Sequence, residues 1–270
     1  MIKNYEKAKE MFLQGKSLTQ IQKELGIDRK KLSFLLRKDG YEITLNNRKY
    51  SLNENFFDNI DTEEKAYWLG FLYADGSVTD FGAYKTDISL AEKDKDHLEK
   101  YRQALESTHP IITRGITFNN KTYYSCRLNI SNKAMAEALI NKGCVPKKSL
   151  ILTFPTEEQV PKELRRHFIR GYFDGDGCIS YSSNDHSYNF NILGTYDFLT
   201  DIQNEFAENI ENYKVTKVSK DPRSNVYKFQ KGRNCGTQNI NNIYNYLYKD
   251  ATIYLDRKKN IFDKVITKKS

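Results

Sequence analysis

The chain of 270 residues contains no apolar run that approaches the length of a membrane span, which needs about 20 such residues. Its polar start, Met1-Ile2-Lys3-Asn4-Tyr5, does not have the pattern of a signal peptide. Cysteine is scarce, and Cys126, Cys144, Cys178 and Cys235 lie too far apart for the paired spacing of a zinc site or a disulfide framework. The sequence therefore predicts a folded cytoplasmic protein with free thiols.

Positive charge is abundant, but it is unevenly distributed. The formal net charge is +8, and residues 1–50 carry 12 Lys or Arg against 6 Asp or Glu. Residues 249–270 carry 7 against 3, so the middle of the chain is slightly acidic. A basic amino-terminal segment favours a polyanionic partner such as nucleic acid.

A nine-residue pattern occurs twice, at residues 68–76 and 169–177. The two copies read Trp68-Leu69-Gly70-Phe71-Leu72-Tyr73-Ala74-Asp75-Gly76 and Ile169-Arg170-Gly171-Tyr172-Phe173-Asp174-Gly175-Asp176-Gly177. The acids Asp75 and Asp176 are 101 residues apart, and a repeat of that length indicates a duplicated domain. Each copy is predicted to be a helix, because helix-start signals precede it and a glycine able to adopt the left-handed conformation ends it.

Small residues leave one face of each predicted helix without bulky side chains. Gly70 and Ala74 lie four residues apart in the first copy, as do Gly171 and Gly175 in the second, so the two helices are expected to pack against each other. That packing brings the two acids together at the negative ends of the helix dipoles. Carboxylates about 5 Å apart repel by roughly 3 kcal/mol at an effective dielectric of about 20, and a divalent cation removes this penalty. A single copy is equally typical of a buried helix, but two copies favour a metal site.

The duplicated pattern resembles the LAGLIDADG motif of homing endonucleases, in the single-chain form with two motifs. The resemblance extends over residues 62–266. It implies an α+β fold, a pseudo-twofold pair of αββαββα half-domains that forms a saddle, with the motif helices at the interface. Residues 143–155 resemble the family's connector between half-domains, and residues 253–266 its carboxyl-terminal helix. The sixth motif position, usually acidic in the family, is Tyr73 in one copy and Asp174 in the other.

The resemblance also implies a catalytic site. The eighth-position acids, Asp75 and Asp176, would bind Mg²⁺, with Mn²⁺ as another possible ion, and the carbonyls of Ala74 and Gly175 would be further metal ligands. The family uses a lysine at the end of the last strand of a half-domain, for which Lys231 is the candidate and Lys228 the alternative. In the first half, Asn129 and Lys133 lie near the matching place, so the two centres are expected to be unequal.

Residues 1–40 are predicted to be a small all-α helix-turn-helix domain. One helix spans about residues 17–25, Gly26 forms the turn, and Asp28 caps a second helix that ends near residue 38. The exposed face of this second helix offers Arg29, Lys30, Ser33 and Arg37 for contacts with DNA. A basic helical hairpin that only packs on the rest of the chain remains the alternative.

The remaining boundaries follow from periodicity. Residues 41–60 are predicted to be a linker that either lies along a DNA groove or is solvated. Residues 61–150 form the first half-domain and residues 151–270 the second, each with the order helix, two strands, helix, two strands, helix.

Basic and polar residues alternate along all four predicted hairpins, which suits a sheet that follows the major groove. The candidate DNA contacts on this face are Lys85, Arg114, Lys121, Arg127, Asn189, Asn191, Lys217, Lys220, Arg223 and Lys228.

The resemblance and the retained acids together predict a monomeric site-specific endonuclease that makes a staggered break in double-stranded DNA by Mg²⁺-dependent hydrolysis. No protein partner or membrane is implied. The alternative is a non-cutting nucleic-acid binder of the same fold, either an intron maturase or a transcription regulator.

Overall fold

The computed structural model describes residues 4–41, 43, 49–82, 84–119, 121–182, 187–222, 225–232 and 236–267. The chain divides into two compact units, Met1–Ser51 and Leu52–Ser270. Within the described residues, no helix has both the length and the apolar character needed to cross a membrane.

The smaller unit contains the predicted helices. Its helices are α1 (Tyr5–Leu13), α2 (Leu18–Leu25) and α3 (Arg29–Lys38). Ser17 and Gln20 form a capping box at the start of α2, and Gly26 (φ 67°) ends that helix in the left-handed conformation. Asp28 accepts a hydrogen bond from the main-chain N–H of Lys31 at 3.0 Å and so caps α3. The predicted turn and second helix are therefore present.

The larger unit is a mixed α+β structure built from two similar halves. The first half contains α4 (Glu63–Asp75), β1 (Gly76–Val78), β2 (Lys85–Ala91), α5 (Lys95–Ala104), β3 (Ile112–Phe118), β4 (Lys121–Ser131) and α6 (Lys133–Asn141). The second contains α7 (Arg165–Asp176), β5 (Gly177–Ser182), β6 (Ser187–Gly194), α8 (Tyr196–Asn209), β7 (Ser219–Lys220), β8 (Tyr227–Lys231), α9 (Gly236–Tyr248) and α10 (Asp256–Thr267).

Each half has one antiparallel sheet, with strand orders β1-β2-β4-β3 and β5-β6-β8-β7. Apolar side chains alternate with polar ones, so that one face of each sheet is buried. Ile88 is paired with Leu128 on the buried face of the first sheet, and Ile192 is paired with Phe229 on that of the second. The opposite faces carry most of the predicted DNA contacts.

The two motif helices, α4 and α7, approach each other with main chain against main chain. A methyl group added to Gly70 would lie 1.9 Å from Phe168 O, and one added to Gly171 would lie 1.9 Å from Tyr67 O. No side chain fits at either position, which confirms why glycine is repeated there.

The two glycines that follow the motif acids do not adopt the predicted left-handed conformation. Gly76 and Gly177 have φ values of −82° and −85°, and each helix continues directly into a strand. Crowding explains the glycines instead, because a methyl group on Gly76 would lie 2.6 Å from Leu72 Cδ2 and one on Gly177 would lie 2.1 Å from Phe173 Cδ2.

Two other predictions need correction. Residues 52–60 are not a solvated linker, because Phe56, Phe57 and Ile60 are buried in the core of the larger unit; residues 42 and 44–48 lie outside the described residues. The last of the four predicted hairpins is also incomplete, since its first strand, β7, contains two residues only.

Candidate active site

The carboxyl ends of α4 and α7 bring Asp75 and Asp176 to the same place. A methyl group added to Gly175 would lie 2.3 Å from Ala74 Cβ and 3.3 Å from Asp75 Oδ2. Asp75 is exposed and Asp176 is half-buried. The close approach of the helices therefore places one carboxylate from each half beside the other motif.

Both motif acids have raised pKa values, because the packing of the two helices removes part of the hydration of their carboxyl groups. Loss of hydration and, to a smaller extent, the nearby charge of Asp176 raise the pKa of Asp75 to about 6, whereas the charges of Lys258 and Lys148 oppose the shift. Burial also raises the pKa of Asp176, against the charges of the same two lysines and a hydrogen bond from Tyr172.

At the carboxyl end of each motif helix, main-chain carbonyls accept hydrogen bonds from a buried lysine of the same half. Lys148, in the connector that follows α6, donates its ammonium protons to Gly76 O and to Ala74 O, the latter at 3.5 Å. Lys258, in α10, donates to Phe173 O at 2.7 Å, to Gly175 O at 2.9 Å and to Gly177 O. Positive charge at a helix carboxyl end interacts favourably with the dipole, so the two lysines balance both the helix ends and the two carboxylates.

Burial lowers the pKa of Lys258 to about 8, and the charges of Asp174, Asp75 and Asp176 oppose this shift. Lys258 is 5% exposed and Lys148 is 9% exposed. Both ammonium groups are therefore largely shielded from bulk water. In this shielded environment their attraction for a negative charge is stronger than at an open surface.

Asp174, at the sixth motif position, holds the segment that carries Lys258. It accepts hydrogen bonds from Tyr248 Oη at 2.6 Å, Tyr67 Oη at 2.8 Å and the main-chain N–H of Leu255 at 2.8 Å. The matching Tyr73 instead donates its hydroxyl proton to Lys142 O at 2.6 Å, just before the connector that carries Lys148. The two halves thus fix their lysines by different contacts.

Lys231, the lysine that the sequence suggested for catalysis, points into the core beneath the second sheet. It is paired with Phe190 across β6 and β8 on the buried face of the sheet, and it is fully buried. Its ammonium donates to Lys214 O and lies 3.8 Å from the ring centre of Tyr213. The prediction for Lys231 is therefore corrected, because the lysines that the structure brings to the motif carboxylates are Lys148 and Lys258.

A divalent ion fits the donors at this end of the motif helices. Mg²⁺ takes oxygen ligands, typically one or two carboxylates together with several waters and phosphate oxygens, and Asp75 and Asp176 offer such carboxylates. In the part of the chain that the structure describes, no group of three or more His, Cys, Asp or Glu side chains is arranged to hold a metal. The carbonyls of Ala74 and Gly175, the other predicted ligands, already accept hydrogen bonds from Lys148 and Lys258.

The first sheet presents the predicted basic residues on its exposed face. The register places Lys85, Arg114, Lys121 and Arg127 on the same side of the sheet, and all four are exposed. Arg127 donates through Nε to Asp87 Oδ1, and Asn129 donates through Nδ2 to the same oxygen at 3.2 Å.

The second sheet presents amides in the corresponding place. Asn191 is paired with Gln230, and Gln230 donates to Asn189 Oδ1 at 3.2 Å. Lys228 lies on this same face, with Nζ 4.0 Å from Asp221 Oδ2.

The other predicted contacts have different positions. Lys220 is exposed, but it is paired with Tyr227 and lies on the opposite face of the sheet from the one predicted, a difference of one residue in register. Lys217 is exposed and precedes β7. Arg223 lies outside the described residues. On α3 of the smaller unit, Arg29, Lys30 and Arg37 are exposed and Ser33 is half-buried.

Comparison with known proteins agrees with this architecture. Residues 62–142 match the family model of the LAGLIDADG-like domain. The first half is a LAGLIDADG-like domain. The homing endonuclease I-WcaI, solved bound to its DNA recognition sequence, has a TM-score of 0.51 and 10% identity over 84% of this chain and 97% of that one. At that identity the likeness shows a shared LAGLIDADG fold. Because the match covers 84% of this chain, it includes residues of both halves.

The LAGLIDADG meganuclease I-CpaMI, solved bound to uncleaved DNA, has a TM-score of 0.47 and 15% identity, over 78% of this chain and 93% of that one. A search of curated proteins found no match.

Sequence reasoning missed the two lysines beside the LAGLIDADG acids. One signal for them was present, since a Lys-Lys pair occurs in each of the two segments that resemble family elements, 147–148 in the connector and 258–259 in the last helix. Like the motif acid, such a pair is present in both halves, although the second half also contains Lys268-Lys269.

Proposed function

We propose that the chain is a site-specific DNA endonuclease of the homing type, which makes a staggered double-strand break by Mg²⁺-dependent phosphodiester hydrolysis. The observation that carries this proposal is the pair Asp75 and Asp176, held side by side at the ends of the motif helices and flanked by Lys148 and Lys258. The shared fold with I-WcaI, a homing endonuclease solved with its DNA recognition sequence, supports double-stranded DNA as the partner.

Each group in the site has a separate role. Asp75 and Asp176 would hold Mg²⁺, or Mn²⁺ in its place, and the bound ion would activate water and stabilise the leaving oxygen. Lys148 and Lys258 keep positive charge near the carboxylates and attract the phosphate into the site. Because both acids come from one chain, we propose that the active form is a monomer.

The exposed faces of the two sheets would supply the DNA surface. Strands that carry alternating basic and amide side chains suit contacts in the major groove. We assign the same partner to the smaller unit, where Arg29, Lys30 and Arg37 are exposed on α3. The helix-turn-helix interpretation of this unit remains part of the proposal.

The experiment that tests the proposal compares cutting and binding. Purified chain is incubated with plasmids that carry candidate insertion sites, with Mg²⁺ or with a chelator. We expect linear product only with Mg²⁺, and Asp75→Asn or Asp176→Asn should lower the rate by at least about 10³-fold, on the scale of losing a group that stabilises a transition state. Binding of the same DNA should persist.

Asp80→Asn, which changes an exposed acid outside the motif, is the matched control and should cut normally. A wild-type chain that binds these plasmids without cutting them would instead support a maturase or a regulator. Unchanged cutting by either motif variant would remove that acid from the mechanism.

A further inference from the structure

An acidic side chain lies in the middle of the basic face of the first sheet. Asp87 in β2 is paired with Ser77 of β1 and Asn129 of β4, and its side chain is 17% exposed. Lys85 and Arg127 lie on the same face. An acid at this position lowers the affinity for a polyanion, so attraction of phosphates alone does not account for it.

The contacts of Asp87 show what it does. Its Oδ1 accepts one hydrogen bond from Arg127 Nε and another from Asn129 Nδ2. The guanidinium is thereby held by its Nε edge, while its side chain stays 50% exposed. The Nη1–Nη2 edge remains for a second partner, and a guanidinium held in one orientation suits the paired acceptors O6 and N7 of guanine in the major groove.

A structural role for this ion pair is the competing explanation. Exposed ion pairs contribute little to stability, and Arg127 is half exposed. Asn129 donates to the same carboxylate oxygen, which fixes the direction in which that oxygen faces Arg127. The arrangement therefore favours orientation over stabilisation.

The second sheet supplies an internal comparison. Gly76 pairs with Ile88 and Gly177 pairs with Ile192, so Asn191 occupies the place of Asp87. Two residues further along each strand, Ser89 pairs with Arg127 and Leu193 pairs with Lys228, so Lys228 occupies the place of Arg127. This half has a neutral amide and a point charge where the first half has a carboxylate and an oriented guanidinium.

We propose that Arg127 reads a guanine in the half of the target beneath the first sheet, and that Asp87 is the positioning residue that orients it. The inference rests on the proposed function, because it assumes that the sheets lie in the major groove of a specific target. The inference specifies one base of that target and predicts that the two half-sites are recognised differently.

The experiment selects bound sequences from a randomised duplex library with the full chain in chelator. Affinities for all four base pairs are then measured at each position of the selected sequence. The wild-type chain should prefer guanine at one position of the first half-site by about 10- to 100-fold. Arg127→Gln should abolish that preference or turn it towards adenine, with the other positions unchanged.

Asp87→Asn tests the positioning role. It should lower the guanine preference about 10-fold at that position, while the affinity for unrelated duplex stays the same or rises because a negative charge is removed. Asp87→Glu should restore part of the preference. Lys228→Gln is the matched control on the second sheet and should weaken all sequences to a similar extent.

Three outcomes would overturn the inference. An unchanged base profile in Arg127→Gln would remove its reading role. An equal loss at every position in Asp87→Asn, together with a lowered melting temperature, would assign Asp87 to structure. A wild-type chain that enriches no sequence would refute both the inference and the proposed function, whereas a chain that cuts specifically with an unchanged Arg127→Gln profile would refute the inference alone.

Discussion

The two halves of the larger unit repeat their backbone contacts but not their side-chain contacts. Phe168 O and Tyr67 O lie at the same 1.9 Å from methyl groups added to Gly70 and Gly171. At the sixth motif position, by contrast, Asp174 accepts three hydrogen bonds where Tyr73 donates one. The arrangement that positions the carboxylates is therefore symmetric, whereas the contacts that support each lysine have diverged.

The sheets show the same divergence on a larger surface. The exposed face of the first carries Arg127 with its acidic partner Asp87, and that of the second carries Asn191 and Gln230. Because both halves belong to one chain, the surface of one sheet can change without a change in the other. If the sheets contact DNA as proposed, the two halves should recognise different base pairs.

The largest effect should come from the symmetric contact. Gly70→Ala and Gly171→Ala each place a methyl group 1.9 Å from a main-chain oxygen, which forces the helices apart, and each should lower the free energy of unfolding by about 3–5 kcal/mol. Chemical denaturation measures the loss. Gly115→Ala, which meets only side chains of an exposed hairpin, should cost less than about 1 kcal/mol. Clearly unequal losses for the two motif glycines would contradict the symmetry.

The lysine pair offers the next test. Lys148→Met and Lys258→Met should each lower double-strand cutting by about 10²-fold, since each removes a buried positive charge beside the carboxylates. If each lysine serves its own half, the two variants should accumulate nicks in opposite strands, which end-labelled DNA reveals.

Lys147→Met changes an exposed neighbour of Lys148 and is the control, with cutting expected to stay within about twofold of the wild type. Nicks in the same strand for both lysine variants would show that the two centres are not separate.

Substitutions at the sixth motif position should lower the stability of the protein by different amounts in the two halves. Asp174→Asn should cost about 3 kcal/mol, because the new amide N–H₂ faces buried donors that lose their acceptor. Tyr73→Phe removes one hydrogen bond to Lys142 O and should cost about 1 kcal/mol. Thermal unfolding of both variants measures the difference, and equal losses would mean that the Asp174 contacts contribute no more than the single tyrosine bond.

The smallest effect should appear as a pH dependence. The pKa of Asp75 is raised to about 6, so between about pH 4 and 6 the folded chain holds a proton that the unfolded chain has lost, and stability falls as the pH rises. In chelator, Asp75→Asn should therefore gain about 1 kcal/mol at pH 7, a figure reduced for solvent screening because Asp75 is exposed, and nothing at pH 4. Asp80→Asn serves as the control. If Asp75→Asn gained the same stability at pH 4 as at pH 7, the charge of Asp75 would not be the cause of the gain.

Much of this architecture was predictable because it depends on patterns that repeat along the chain. The motif helices, the order of strands and helices, and the exposed face of the first sheet all follow from small residues, caps and alternation. The helix-to-strand junctions were less accessible: Gly76 and Gly177 avoid collisions with the preceding turn, and nothing in the local sequence distinguishes this from a left-handed stop.

The lysine beside the motif acids was predicted wrongly for a different reason. Lys231 has the expected position at the end of a strand, but register decides which face a strand residue joins, and a shift of one residue exchanges the faces. Lys148 and Lys258 reach the motif helices from segments 72 and 81 residues after the carbonyls of Gly76 and Gly177. Apart from the Lys-Lys pair in each segment, such long-range contacts leave no local signal.

Main-chain packing between α4 and α7 has a consequence for how new targets can arise. With no side chain between Gly70 and Phe168 O, or between Gly171 and Tyr67 O, the spacing of the two helix ends cannot drift through rotamer changes or repacking. For a chain that cuts at these ends, the offset between the two nicks is then a fixed length set by the backbone. Retargeting by substitution on the sheets should leave the overhang of the product unaltered.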